Sequence, residues 1–174
     1  MSLTAAVLAR PVGRMIMLAK GLVTDISADR FARFPIADGK PVTINHPAFA
    51  LGHLVLYPSR IAGVCGLDAN TVAPPEGFED LFAPGVECRD DADGTVYPNK
   101  DTMIAAFVDS HERVAELIAG LRDEDLDREL ENERYRDAFG TSGGATAFLL
   151  GGHAGFHLGQ ISAWRRAMGM PSAF

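Results

Sequence analysis

The chain has 174 residues, 47% of them hydrophobic and 22% charged, which is the make-up of an ordinary soluble domain with room for a full core. Its 16 basic and 23 acidic residues leave a net charge of −7, a balance that repels phosphate backbones and argues against nucleic acid as a partner. No run approaches the ~20 apolar residues a membrane span needs. The short apolar patch Met15–Ala19 is bounded by Arg14 and Lys20, so no signal peptide is expected either. Cys65 and Cys88 suggest neither a disulfide framework nor a zinc ribbon, and Cys65 reads as a small core residue. The expectation is a cytoplasmic protein with a single domain over residues 1–174.

Four segments carry helical patterning. The first covers about 11–27, with Ile16, Leu18, Leu22, Val23 and Ile26 on one side and Pro11 suited to an opening position. The second starts at Asn45-His46-Pro47 and reaches about Cys65, with Pro58 bending or interrupting it after Tyr57. The third opens on Asp101 as N-cap and shows the stripe Ile104, Phe107, Val108, Val114, Ala115, Ile118 and Leu121. The fourth covers about 144–168; Arg165 and Arg166 suit its C-terminal dipole, and Gly169 and Pro171 stop it.

A Pro-rich connector, 68–99, separates the second helix from the third, and loops of this length are commonly functional or mobile. An acidic connector, 123–144, has room for a short helix around 125–131. No alternation is strong enough to build a sheet. The expected class is all-α, a four-helix bundle with one short and two long connections.

Chemistry concentrates in His153-Ala-Gly-Phe-His157-Leu-Gly-Gln160. Four residues advance a helix by about one turn, so the two imidazoles leave one face and can converge on one ion. A catalytic metal usually takes three protein ligands and keeps a position open. His53, in the apolar run from Phe49 to Tyr57, supplies the third. Gly152, Gly155 and Gly159 weaken the last helix, which calls for close helix approach or room for a ligand.

The string Asn45-His-Pro-Ala-Phe-Ala-Leu-Gly-His53-Leu resembles the second-helix motif of the DinB-like (DinB/YfiT) superfamily. The string from His153 through Gly-Gln160 to Arg165-Arg166 and Gly169-Met-Pro171 resembles its last-helix motif. The resemblance extends over essentially the whole chain in helix order. It implies a four-helix bundle, often a homodimer, that binds a divalent metal through three histidines, here His53, His153 and His157. Relatives include thiol-dependent transferases and a maleylpyruvate isomerase, and many others are grouped as metal-dependent hydrolases. The long 68–99 connector departs from the simplest members and is expected to border the site.

Other residues compete less well. His46 shares a helix face with His53 but sits at a helix start, where a cap is the plainer role. His111 falls among apolar residues of the third helix and reads as a boundary histidine. Gln160 can orient a ligand or bond between helices, and Trp164 reads as core or dimer interface. The loop Gly140-Thr-Ser-Gly-Gly144 lacks the Lys of a phosphate-binding loop and is read as a flexible helix start.

Three neutral imidazoles suit Zn²⁺, Ni²⁺ or Fe²⁺ better than oxygen-seeking Mg²⁺ or Ca²⁺. An open position can activate water for hydrolysis or bind a low-molecular-weight thiol for transfer or isomerisation. The expected function is therefore a metal-dependent hydrolase or thiol-dependent transferase or isomerase, acting on a small-molecule substrate as a homodimer. The alternatives are a non-catalytic metal-binding or stress-response module, and a bundle whose histidines merely pack.

Overall fold

A computed structural model describes residues 2–174. Helix α1, Leu3–Val23, begins where Ser2 accepts the Ala5 N–H at 3.0 Å. It therefore starts well before Pro11, which lies inside the helix rather than opening it. Pro11 is tolerated there on the exposed side, while Ala5, Val12, Ile16, Ala19 and Val23 form the buried stripe at helical spacing. A 3₁₀ turn, Ala28–Arg30, leads to a small antiparallel hairpin of β1, Ile36–Ala37, and β2, Lys40–Pro41. Its turn is Asp38-Gly39, both at positive φ (50° and 74°), the backbone that Asp-Gly favours in a two-residue hairpin loop.

Helix α2, Pro47–Val55, is buried along its whole length, as a helix apolar on every side must be. Its N-cap is His46. Pro58 has no N–H and its ring crowds the carbonyl of the previous turn, so the helix breaks at Leu56 and resumes as α3, Tyr57–Val64. The 68–99 connector is not an open loop. It contains a 3₁₀ turn, Ala69–Val72, capped by Asp68, and a short helix α4, Phe78–Phe82, whose two Phe rings are buried. Its second half is pinned by the buried Asp91 carboxylate, which accepts the N–H groups of Thr95, Val96 and Tyr97 at 3.0–3.1 Å.

Helix α5, Lys100–Ala119, is capped by Asn99, which accepts the Thr102 N–H at 2.9 Å; Asp101 instead sits in the first turn. The buried face is Met103, Phe107, Ser110, His111, Val114 and Ile118, with Ile104, Val108 and Ala115 only half-buried beside it. The acidic connector holds α6, Asp123–Leu126, and α7, Glu133–Phe139, in place of one helix at 125–131. Helix α8, Ser142–Ala147, runs through a π-helical segment, Phe148–His153, into α9, Ala154–Ala167. Thr141 caps α8 by accepting the Gly144 N–H, which gives the glycine-rich start a fixed entry.

The fold is all-helical apart from the hairpin. Helix α1 packs on α5 and α9, and α2 lies against α5, α9 and α4. The end of α9 is tied down twice. Trp164 is fully buried and donates its indole N–H to the Arg33 carbonyl at 2.7 Å. Arg165, also buried, pairs with Asp25 and donates to the carbonyls of Leu22 and Pro171. These contacts fix α9 against the end of α1 and the segment that follows it, and so the histidines it carries.

Candidate metal centre

Helix α2 brings His53 to the junction of the π segment and α9, where His153 and His157 project one turn apart. The three rings form a triangle with centroids 4.6 Å (His53–His157), 5.4 Å (His53–His153) and 4.6 Å (His153–His157) apart. Each offers one ring nitrogen such that all three lie within 4.8 Å of one another, a group that could hold a metal ion. His53 and His157 are buried and His153 is half-buried.

Hydrogen bonds behind two of the rings decide which nitrogen faces inward. The His53 Nδ1–H donates to the Phe82 carbonyl at 2.7 Å, which leaves Nε2 with a bare lone pair. That carbonyl comes from α4, so the Pro-rich connector forms part of the site. Its approach depends on Gly52, where a Cβ would stand 2.5 Å from the Phe82 ring. The His157 Nδ1–H donates to Gln160 Oε1 at 2.8 Å, and the same oxygen accepts Asn45 Nδ2–H at 3.1 Å. Gln160 thus orients a ligand ring while bridging to the chain just ahead of α2. This outer hydrogen bonding is typical of metal-binding imidazoles.

His153 is held differently. The π segment ends on it, and π turns inserted in α-helices are often found at functional sites. Its Nε2–H donates to His157 Nε2 at 3.1 Å, a separation also near the ~3.3 Å ligand–ligand edge of a tetrahedron with ~2.05 Å bonds, so loss of that proton would free both lone pairs for one ion. Its Nδ1 is buried with no partner. Burial, then the neighbouring His157 and His53, pull its pKa down from 6.5 to about 4. Burial lowers His53 and His157 as well. All three imidazoles are therefore neutral near pH 7, the form in which imidazole ligates a metal. Two lone pairs with fixed tautomers and a third ring whose Nε2 stands beside one of them fit a divalent cation.

The other two histidines stay apart from this group. His46 caps α2: Nδ1 accepts the Phe49 N–H at 3.2 Å and Nε2–H donates to the Arg89 carbonyl at 2.9 Å, so both ring nitrogens are used. His111 is a core residue and not a boundary one, 2% exposed, with Nδ1–H on the Phe107 carbonyl at 2.8 Å. Burial lowers it to about 4. Trp164 belongs to the core. Gly151, Gly155 and Gly159 face open space, so close packing within the chain does not explain them; Gly152 leaves room for the Phe148 ring.

Several contributors have weak sequence signals. Tyr57 and Arg60 follow His53 by four and seven residues and continue its face onto α3, a spacing that could have been noticed. The Tyr57 ring lies 4.0 Å, centroid to centroid, from His153. The Phe82 carbonyl is backbone and has no side-chain signature at all.

Fold and site together describe a mostly helical protein with a largely buried three-histidine cluster that could hold a metal ion. A family model of the DinB superfamily matches residues 12–161, a span that contains all three histidines and Gln160. The chain belongs to that superfamily. No curated protein and no solved structure gives a significant match.

Proposed function

We propose that the chain is a single four-helix-bundle domain that holds one divalent cation through His53, His153 and His157 and uses it to act on a small molecule. The observation that carries this reading is the convergence of Nε2 atoms whose opposite nitrogens are committed to the Phe82 carbonyl and Gln160. The donor set is three neutral nitrogens, which favours Zn²⁺, Ni²⁺ or Fe²⁺. Bound there, such a cation supplies Lewis acidity toward a water or a low-molecular-weight thiol, the two chemistries of a hydrolase and of a thiol-dependent transferase or isomerase.

The residues of the chain do the positioning. The Phe82 carbonyl and Gln160 hold two rings in the ligating tautomer, and Asn45 holds Gln160. Burial keeps the three imidazoles unprotonated, so protons do not compete for the lone pairs near neutral pH. A purely structural metal site would be closed by a fourth protein ligand. Among the described residues no further His, Cys, Asp or Glu joins the cluster, which favours an enzyme over a non-catalytic metal-binding or stress-response module.

Elemental analysis of protein purified without a nickel column tests this. Near one metal per chain in wild type and none in His153→Ala is expected, with hydrolysis and thiol transfer then screened on the loaded protein. Equal, low metal in both would end the reading.

A further inference from the structure

Beside His153 a cavity of about 220 Å³ opens between α3, α7 and the π segment, with Pro84 of the connector at its edge. Its wall is a run of rings. Tyr135 and Phe139 lie 6.3 Å apart by centroid, Phe139 and Phe148 stack at 5.0 Å, Phe148 stands 6.2 Å from His153, and His153 stands 4.0 Å from Tyr57. Phe148 and Tyr135 are 44% and 51% exposed, so the core does not account for them. One lining residue carries a permanent charge. Arg60 places its guanidinium 4.8 Å from the centre of the Tyr57 ring and pairs with Glu79 at 3.2 Å.

Each element restricts the ligand. Flat rings along the wall favour a flat ring lying against them. A cavity of about 150 Å³ is enough for benzene, so this one holds a single substituted ring. A guanidinium offers a planar fork of donors that matches a carboxylate and has capacity beyond one partner. Its pair with Glu79 is solvent-exposed and therefore weak, so an incoming carboxylate can share or displace it. On a chain of net charge −7, this arginine supplies the local attraction an anion needs.

We propose that this cavity is the substrate pocket of the histidine centre and takes a molecule with one aromatic ring and a carboxylate. The ring lies among Tyr135, Phe139 and Phe148, and the carboxylate on Arg60. Gly152 serves the pocket, because a Cβ there would come within 3.2 Å of the Phe148 ring and press on it. The assignment as a substrate pocket rests on the metal reading above; ligand binding to the cavity does not.

The probe is 4-fluorobenzoate, followed by fluorine NMR titration of zinc-loaded and chelator-stripped protein, with zinc measured in the same samples. Saturable binding at millimolar concentration or tighter is expected in both states. Arg60→Ala should weaken it about tenfold with zinc content unchanged, and Arg60→Lys should restore part of the loss. Phe148→Ala, an exposed position safe for folding, should weaken it severalfold, and 4-fluorobenzyl alcohol should bind wild type no better than the acid binds Arg60→Ala. Equal affinity of wild type and Arg60→Ala, or no saturable binding to wild type, overturns the pocket. Binding that needs zinc and ignores Arg60 overturns it too, by placing the carboxylate on the metal. Wild type that holds no zinc yet binds the probe through Arg60 supports the ligand site and overturns the metal reading instead.

Discussion

His46 and His53 stand seven residues apart on and beside α2, both buried, both with their pKa lowered chiefly by burial, and they are employed in opposite ways. At His46 both ring nitrogens are consumed, one by the Phe49 N–H and one by the Arg89 carbonyl, and Phe34, Phe49 and Tyr97 surround the ring. At His53 one nitrogen is consumed by the Phe82 carbonyl and the other faces two more imidazoles. Burial and a shifted pKa are common to both. What separates a structural histidine from a candidate ligand is whether its second nitrogen already has a partner.

The comparison can be broken by pH first, through His111, the other histidine of the structural kind. Its pKa is lowered from 6.5 to about 4, so the unfolded chain takes up a proton at a pH where the folded chain refuses it. This residue leaves stability unchanged above about pH 6.5. As pH falls from about 6.5 to about 4 it removes roughly 3 kcal/mol, after which the folded form is protonated too. His111→Leu should make that part of a urea-denaturation profile against pH shallower by the share of one histidine, the other buried histidines keeping the rest of the slope. Identical slopes in variant and wild type would contradict the assignment.

Two substitutions then set the two regions against each other. His46→Ala strips partners from the Phe49 N–H and the Arg89 carbonyl and leaves a void among rings, at a cost of about 2–3 kcal/mol in unfolding free energy. Its metal content per folded chain should equal that of wild type. Gln160→Leu should do the reverse: metal affinity lower by roughly 10–100-fold in a chelator competition, with the melting curve of the metal-free protein little changed. Metal lost from the His46 variant, or kept at full affinity in the Gln160 variant, would erase the distinction. Asn45→Ala acts one bond further out, through Gln160, and should lower metal affinity only a few-fold, by less than about 1.4 kcal/mol. An effect as large as that of Gln160→Leu would mean that Asn45 supports the site by another route.

The histidine pair was legible because four-residue spacing on a helix is a geometric statement, and His53 because a catalytic metal calls for a third ligand and its surroundings resemble a family motif. The DinB assignment followed from the same residues, and the all-helical class from four segments of helical patterning. The errors came from competing local signals. Asn99 and Asp101 are both good caps, and only the structure shows that it is Asn99 that reaches the Thr102 N–H. Pro11 suits a helix start, yet it is carried inside α1 because it lies on the exposed side. The buried face of α5 is centred about one position away from the apolar stripe, because Ser110 and His111 are buried in it although neither is apolar. The Asp38-Gly39 turn was an available hairpin signal between strands too short to show alternation. The π segment and the Phe82 carbonyl are backbone features, set by tertiary packing that no spacing of side chains reveals.

X-ray absorption at the zinc edge of the zinc-loaded protein tests the central claim most directly. Three imidazole nitrogens at about 2.0–2.1 Å with the remaining coordination from a light, exchangeable ligand are predicted for wild type, and two imidazoles for His53→Ala. Sulfur in the first shell, or a spectrum of wild type that His53→Ala leaves unchanged, would contradict it.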